Sequence, residues 1–185
     1  MANPFGWLSP VAQKRAFALL CVLGLIVQYF WSVLDAPLKN EVAPKGMLSF
    51  EVAGTLAKAQ SIVASWGHAG QVSAAANLGL DCLFLVVYGG TIALGCVLVI
   101  QALANWRLFA ALGLLLSWAQ VVASSCDAIE NYSLIRILLG AQESWLPVLA
   151  LWCARPKSIL YAAGMFYALI GFALIVGRKI FRRGH

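Results

Sequence analysis

Ser117, Gln120, Ser124, Asp127 and Asn131 follow one another at spacings of three, four, three and four residues. On an α-helix that spacing puts every one of them on the same face. Glu130 stands three residues after Asp127, on or beside the same stripe. Carboxyl groups gathered in a poorly hydrated place raise one another's proton affinity, which is how general acids and proton carriers are made. A partner face is available at Asp81, Phe84 and Tyr88, spaced i, i+3 and i+7. Gly89 and Gly90 beside it allow a neighbouring helix to approach closely. Gln28 adds one more polar group, and Arg136, Arg155 and Lys157 are the available counter-ions.

Two uses of these residues compete. In one, Asp127, Glu130, Asn131 and Arg136 form a capping and salt-bridge network that tethers helix ends. In the other, Asp81, Tyr88, Gln120, Ser124, Asp127, Glu130 and Asn131 surround a ligand pocket that opens outward or sideways into lipid. Its floor would be Gln120 and Tyr88, and its walls Asp81, Asp127 and Glu130. Subunit contacts are a third use.

Other chemistries lack their residues. There is no Walker loop, no G-x-S-x-G and no H-E-x-x-H. His68 falls in an expected loop and His185 in the basic tail, so neither suits a haem, a metal centre or a Ser-His-Asp arrangement. The five cysteines show no CxxC. Cys21 and Cys96 read as small core residues. Cys82, Cys126 and Cys153 fall near one end of the spans, where either a disulfide or three unpaired thiols is open. No catalytic residue, metal or cofactor is expected.

The elements that must hold the stripe are set by composition. The chain is 62% hydrophobic and 11% charged, against about 45–50% and about 25% for soluble domains. Charge-free runs of 19 residues occur at 16–34, 82–100, 108–126 and 159–177. Each would make a helix about 28 Å long, close to the roughly 30 Å hydrocarbon core. In hydrocarbon only helices and closed barrels satisfy their backbones, and the alternation a barrel needs is absent. The fold expected is an all-α, four-transmembrane-helix bundle in a single membrane domain. Its spans lie at about 16–34, 78–100, 108–127 and 158–177. Ser9 and Pro10 give the first span a capped start, and Asp35-Ala36-Pro37 ends it. It reads as an uncleaved anchor rather than a signal peptide.

Lys14, Arg15, Arg107, Arg178, Lys179, Arg182 and Arg183 fall at one end of these spans. Lys39, Lys45, Lys58, Arg136, Arg155 and Lys157 fall at the other, with all seven acids: Asp35, Glu41, Glu51, Asp81, Asp127, Glu130 and Glu143. Seven basic residues alone make the first end +7; six basic and seven acidic residues make the second −1. Basic residues held tightly against span ends mark the cytoplasmic side, so both termini are expected there. The net charge of +6 does not imply nucleic acid, because the basic residues flank apolar runs.

The connections at the acidic end are long. Within 35–77, Leu48, Val52, Leu56, Ala59, Val63 and Trp66 recur at helical spacing, while Glu51, Lys58, Ser61 and Ser65 fall elsewhere on the wheel. That predicts an extra amphipathic helix over 47–66, lying on the membrane or covering the bundle end as a lid. Near 143–147 another helix begins, with Pro156 expected to end or kink it and Trp145 and Trp152 at the interface. Gly164, Ala168 and Gly171 make a small-residue face for packing or for docking a subunit.

The expected function is a non-catalytic multi-pass membrane protein. It would bind a lipid or small amphiphile, or serve as an accessory subunit of a membrane complex. Partners would be membrane lipids, other membrane subunits or a second copy. One alternative is a membrane enzyme working on a lipid-like substrate, with Asp127 or Glu130 as acid or base and Asp81 as charge stabiliser. The other is a small oligomeric channel or transporter.

Overall fold

The computed structural model describes residues 3–183; His185 lies outside them, as do the side chains of Arg182 and Arg183. The described chain is helical, and four of its helices are long and apolar enough to cross a membrane. Helix α1 spans Pro10–Asp35. Its start is the one the sequence indicates: Ser9 Oγ accepts from the Ala12 amide at 3.2 Å and Pro10 takes the first helical position. A 3-10 turn, Ala36–Leu38, then carries the chain into two short helices, α2 (Met47–Glu51) and α3 (Leu56–Ser65).

Helices α4 (Gly67–Ala102), α5 (Arg107–Leu138) and α6 (Leu146–Arg183) have 36, 32 and 38 residues. At 1.5 Å per residue they are about 48–57 Å long, well beyond the roughly 30 Å that hydrocarbon requires. The excess projects mainly at one end, where α4 begins, α5 finishes and α6 begins. His68 therefore sits in the first turn of α4, exposed, rather than in a loop. Pro156 lies inside α6 and does not end it.

The projecting ends carry a core of their own. Met47, Phe50, Ala59, Ile62 and Trp66 from α2, α3 and the turn after them pack on Leu78, Leu134, Ile137 and Leu146. Trp66 donates from Nε1 to the Leu38 carbonyl at 2.8 Å and meets the Phe50 ring edge-on. Residues 36–66 thus cap one end of the bundle.

The cap departs from the single 47–66 helix that periodicity suggests. The helix stops at Glu51 and restarts at Leu56, with Thr55 capping the second piece through Oγ1 to the Lys58 amide at 3.4 Å. Gly54 makes the break possible at φ 72°, a backbone conformation that residues with a Cβ rarely adopt. The break also changes the buried face. Leu48 and Val52 are exposed, while Met47 and Phe50 are buried.

Within the spans, α4, α5 and α6 pack mutually and α1 packs mainly along α4. The Gly164–Gly171 face is used inside the bundle. A Cβ at Gly171 would collide with Val99, and one at Gly164 would come within 2.6 Å of Ile92. Helix α1 touches α6 where the Phe17 and Phe172 rings meet at 5.5 Å. Leu19, Val22, Leu25 and Ile26 on the rest of α1 are exposed, the pattern of a lipid-facing helix.

Candidate functional site

The polar stripe of α5 faces inward. Ser117, Gln120, Asp127, Glu130 and Asn131 are all at most 3% exposed. Polar groups at membrane depth are costly unless they meet partners, so each is placed by what it bonds. Ser124 Oγ donates to the Leu85 carbonyl of α4 at 3.0 Å, and a Cβ at Gly89 would strike that hydroxyl. Gln120 Nε2 donates to the carbonyls of Leu116 and Leu160, both at 3.1 Å, leaving its Oε1 buried without a partner.

Toward the capped end the stripe becomes a charged cluster. Lys157 of α6 reaches across, its Nζ 2.7 Å from Asp127 Oδ1 and 2.8 Å from Glu130 Oε2. The side chains of the three are 11%, 5% and 0% exposed. Tyr161, one turn further along α6, donates to Asp127 Oδ2 at 3.2 Å. Asn131 donates to Asp81 Oδ2 at 2.8 Å, joining α5 to α4. Lys157 meets Glu130 as an ion pair, and neither Glu130 oxygen has a hydrogen-bond partner among the described residues.

The cap supplies a fourth carboxyl. Glu51, at the end of α2, is partly buried and lies near enough to the cluster to feel the charges of Lys157 and Asp127. Burial pushes the Glu51 carboxyl above the ordinary carboxylate range; Lys157 opposes this, while Asp127 and Asp35 reinforce it. On a continuous 47–66 helix Glu51 would fall away from the apolar stripe, and the break between Glu51 and Leu56 changes that placement. Asp35 fixes the other side of the cap. It accepts from the Met47 amide at 2.7 Å and pairs with Lys39 at 3.1 Å. Gly46, at φ 57°, lies so close that a Cβ there would strike the Asp35 carboxyl.

The remaining counter-ions named from sequence act elsewhere. Arg136 pairs with Glu143 at 2.6 Å on the surface, away from Asp127. Arg155 is exposed, with no ion pair among the described residues. Tyr161 went unnamed, although its position four residues after Lys157 puts the two on one face of α6. The cysteines are all unpaired, and no group of three or more His, Cys, Asp or Glu side chains among the described residues could hold a metal.

An open cleft lies on the other side of Tyr88. It measures about 380 Å³ and runs between α1, α4 and α6, from Phe17 and Phe172 up to Gln28, Phe84 and Tyr88. Its wall is almost wholly apolar, and Gly24 and Met165 line its middle. The pocket expected from sequence is walled by Asp81, Asp127 and Glu130 and floored by Gln120 and Tyr88. Gln120, Asp127 and Glu130 are instead buried between helices and Asp81 is partly buried against Asn131, so of that set only Tyr88 borders the cleft. Two aromatic rings separate the spaces: Tyr88 meets Tyr161 edge-on at 4.9 Å, and Tyr161 holds Asp127. Gln28 is exposed in the cleft, and neither its amide nor the Tyr88 hydroxyl makes a hydrogen bond among the described residues.

The chain matches no known protein family, no characterised protein and no solved structure.

Proposed function

We propose that this protein binds one amphiphilic small molecule within the membrane, without covalent chemistry. The apolar body of the ligand lies in the cleft between α1, α4 and α6, and its polar head meets Gln28 and Tyr88. The observation that carries this reading is the combination at one place of an apolar, lipid-side cleft with two unclaimed hydrogen-bonding groups. An amide and a hydroxyl left unpaired at membrane depth are costly, and a bound head group offsets that cost. The cleft volume falls within the roughly 300–1,000 Å³ of small-molecule sites. The loose packing of α1 offers a sideways entrance from lipid.

In this reading the carboxylate–lysine cluster is the rigid wall behind Tyr88, and the cap shields it from water. The capped end faces away from the cytoplasm, because the clustered basic residues Lys14, Arg15, Arg107, Arg178 and Lys179 lie at the opposite end. Both termini are then cytoplasmic.

Native mass spectrometry of gently extracted protein tests the binding. A single small-amphiphile mass is expected on the wild type. Gln28→Leu with Tyr88→Phe removes two hydrogen bonds of about 1 kcal/mol each, weakening retention roughly 30-fold. Retention unchanged in that double variant would refute the placement of the head group.

A second reading is favoured by one observation, the buried carboxyls of Asp127 and Glu130 gathered on Lys157. Such a set could exchange protons with a lipid-like substrate, with Glu130 or Asp127 as acid or base and Asp81 as stabiliser. Its signature would be turnover of a copurified lipid that Asp127→Asn abolishes.

A further inference from the structure

A second open space, of about 350 Å³, lies between α4 and α5 where the two helices meet at the short connection 103–106. It shares no lining residue with the cleft between α1, α4 and α6. Small side chains leave this groove open. Arg107, Ala110, Ala111 and Leu114 follow one another at i, i+3, i+4 and i+7, so they form one face of α5. Val97 and Ile100 of α4 make the facing wall. Val97 is buried while Arg107 and Ala111 are exposed, so the groove has an apolar floor and opens on the surface of the bundle.

Its level along the spans sets what it meets. The charge-free runs end at Ile100 and resume at Leu108. The apolar wall therefore lies at hydrocarbon depth, and Arg107 lies where head groups begin. Arg107 makes no ion pair among the described residues. The first acid along its own helix is Asp127, 20 residues on. That is about 30 Å away at 1.5 Å per residue, too far to neutralise it. The other charges at this end, Lys14, Arg15, Arg178 and Lys179, have the same sign. Arg178 lies over the ring of Trp106, the residue before Arg107, 4.5 Å from its centroid.

The mouth of the groove is held in shape by a buried amide. Gln13, 3% exposed, donates to the Phe5 and Leu8 carbonyls at 2.9 and 3.1 Å and accepts from Gln101 of α4 at 2.6 Å. These bonds pin the segment before α1 across the helix ends, and Asn3 comes to line the groove. Asn3 Oδ1 accepts from the Phe5 amide at 2.9 Å, so its Nδ2 is the donor left for a ligand.

We infer that this groove binds one anionic phospholipid, with its phosphate on Arg107 and Asn3 and the start of one acyl chain lying over Ala110, Ala111 and Leu114. The phosphate supplies the counter-charge that this end of the protein lacks. A soluble phosphate would satisfy the arginine but leave the apolar wall bare, and the wall is what selects the lipid. In the proposed orientation this end meets the cytoplasmic leaflet, whose anionic lipids are drawn to basic residues beside a span.

Native mass spectrometry of the full chain tests this, after delipidation in detergent and titration with equal amounts of phosphatidylglycerol and phosphatidylcholine of the same acyl chains. One phosphatidylglycerol per chain should be retained in preference to phosphatidylcholine. Arg107→Gln should weaken that retention about tenfold, the loss of one charged hydrogen-bonding partner. Ala111→Leu, which fills the groove and keeps the charge, should weaken it as well. Lys14→Gln removes a charge from the same end outside the groove and should leave retention unchanged. Equal retention of the two lipids by the wild type overturns the inference. So do equal losses in Arg107→Gln and Lys14→Gln, which would mean a diffuse basic surface. Unchanged retention in Arg107→Gln or in Ala111→Leu would place the lipid elsewhere, and displacement of phosphatidylglycerol by inorganic phosphate would show a soluble-anion site instead.

Discussion

Replacing Lys157 with methionine removes the charge at the centre of the cluster while nearly keeping the volume of the side chain. Asp127 and Glu130 then face each other without the ammonium that sits 2.7 and 2.8 Å from them. Breaking a buried pair from one side costs about 3–5 kcal/mol, because the charge left behind is uncompensated. An independent bound agrees. The stranded carboxyls can take up protons instead, and protonating a carboxyl of ordinary pKa about 4 at pH 7 costs about 4 kcal/mol. The loss should therefore be about 4 kcal/mol at pH 7, with a fall in Tm of about 8–16 °C at this chain length. Because the cost is one of protonation, it should shrink by about 1.4 kcal/mol for each unit of acidification toward pH 5. A cavity or packing defect would not respond to pH in that way. Adding Asp127→Asn and Glu130→Gln to Lys157→Met should restore most of the loss. Thermal unfolding of the purified protein across pH measures this. A deficit below about 1 kcal/mol at pH 7, or one equal at pH 5 and pH 7, would refute the account of the cluster as a buried ion-pair network.

Three further outcomes are expected. Gly54→Ala forces a Cβ into φ 72° and brings it within 3.3 Å of Leu151, so the cap should be destabilised by about 1–2 kcal/mol, read as faster hydrogen exchange over 47–66. Gly171→Leu drives a side chain into Val99 where α6 meets α4, and size-exclusion chromatography should show loss of the folded protein, whereas Gly177→Leu, where a Cβ would meet nothing within 4 Å, should be tolerated. A cysteine placed at exposed Lys58 should react with a membrane-impermeant maleimide on intact cells; labelling only after permeabilisation would reverse the proposed topology.

The spans were legible because hydrocarbon imposes one strong rule: long charge-free runs must be helices. The inward face of α5 was legible for a related reason, since the spacing of Ser117 through Asn131 fixes a face and lipid will not accept it. Helix lengths were not, because hydropathy measures the part of a helix in lipid. It says nothing of the ends of α4, α5 and α6 that pack against the cap. The cap itself misled the periodicity argument. Leu48 and Val52 fit a continuous apolar stripe, yet Gly54-Thr55 interrupts the helix and turns Met47, Phe50 and Glu51 inward. A glycine followed by a capping threonine was the local signal for that break. The cleft was the hardest feature to foresee. It depends on how α1 sits against α4 and α6 beyond the Phe17–Phe172 contact, and a tertiary arrangement of helices leaves no mark on any one helix's own pattern.

An experimental density map of the protein extracted together with its native lipid would test the binding proposal most directly. Elongated non-protein density should fill the space beside Gly24 and Met165, with one end in hydrogen-bonding reach of Gln28 and Tyr88. A map in which α1 closes against α6 along its whole length, with Gln28 bonded to a protein group, would contradict it.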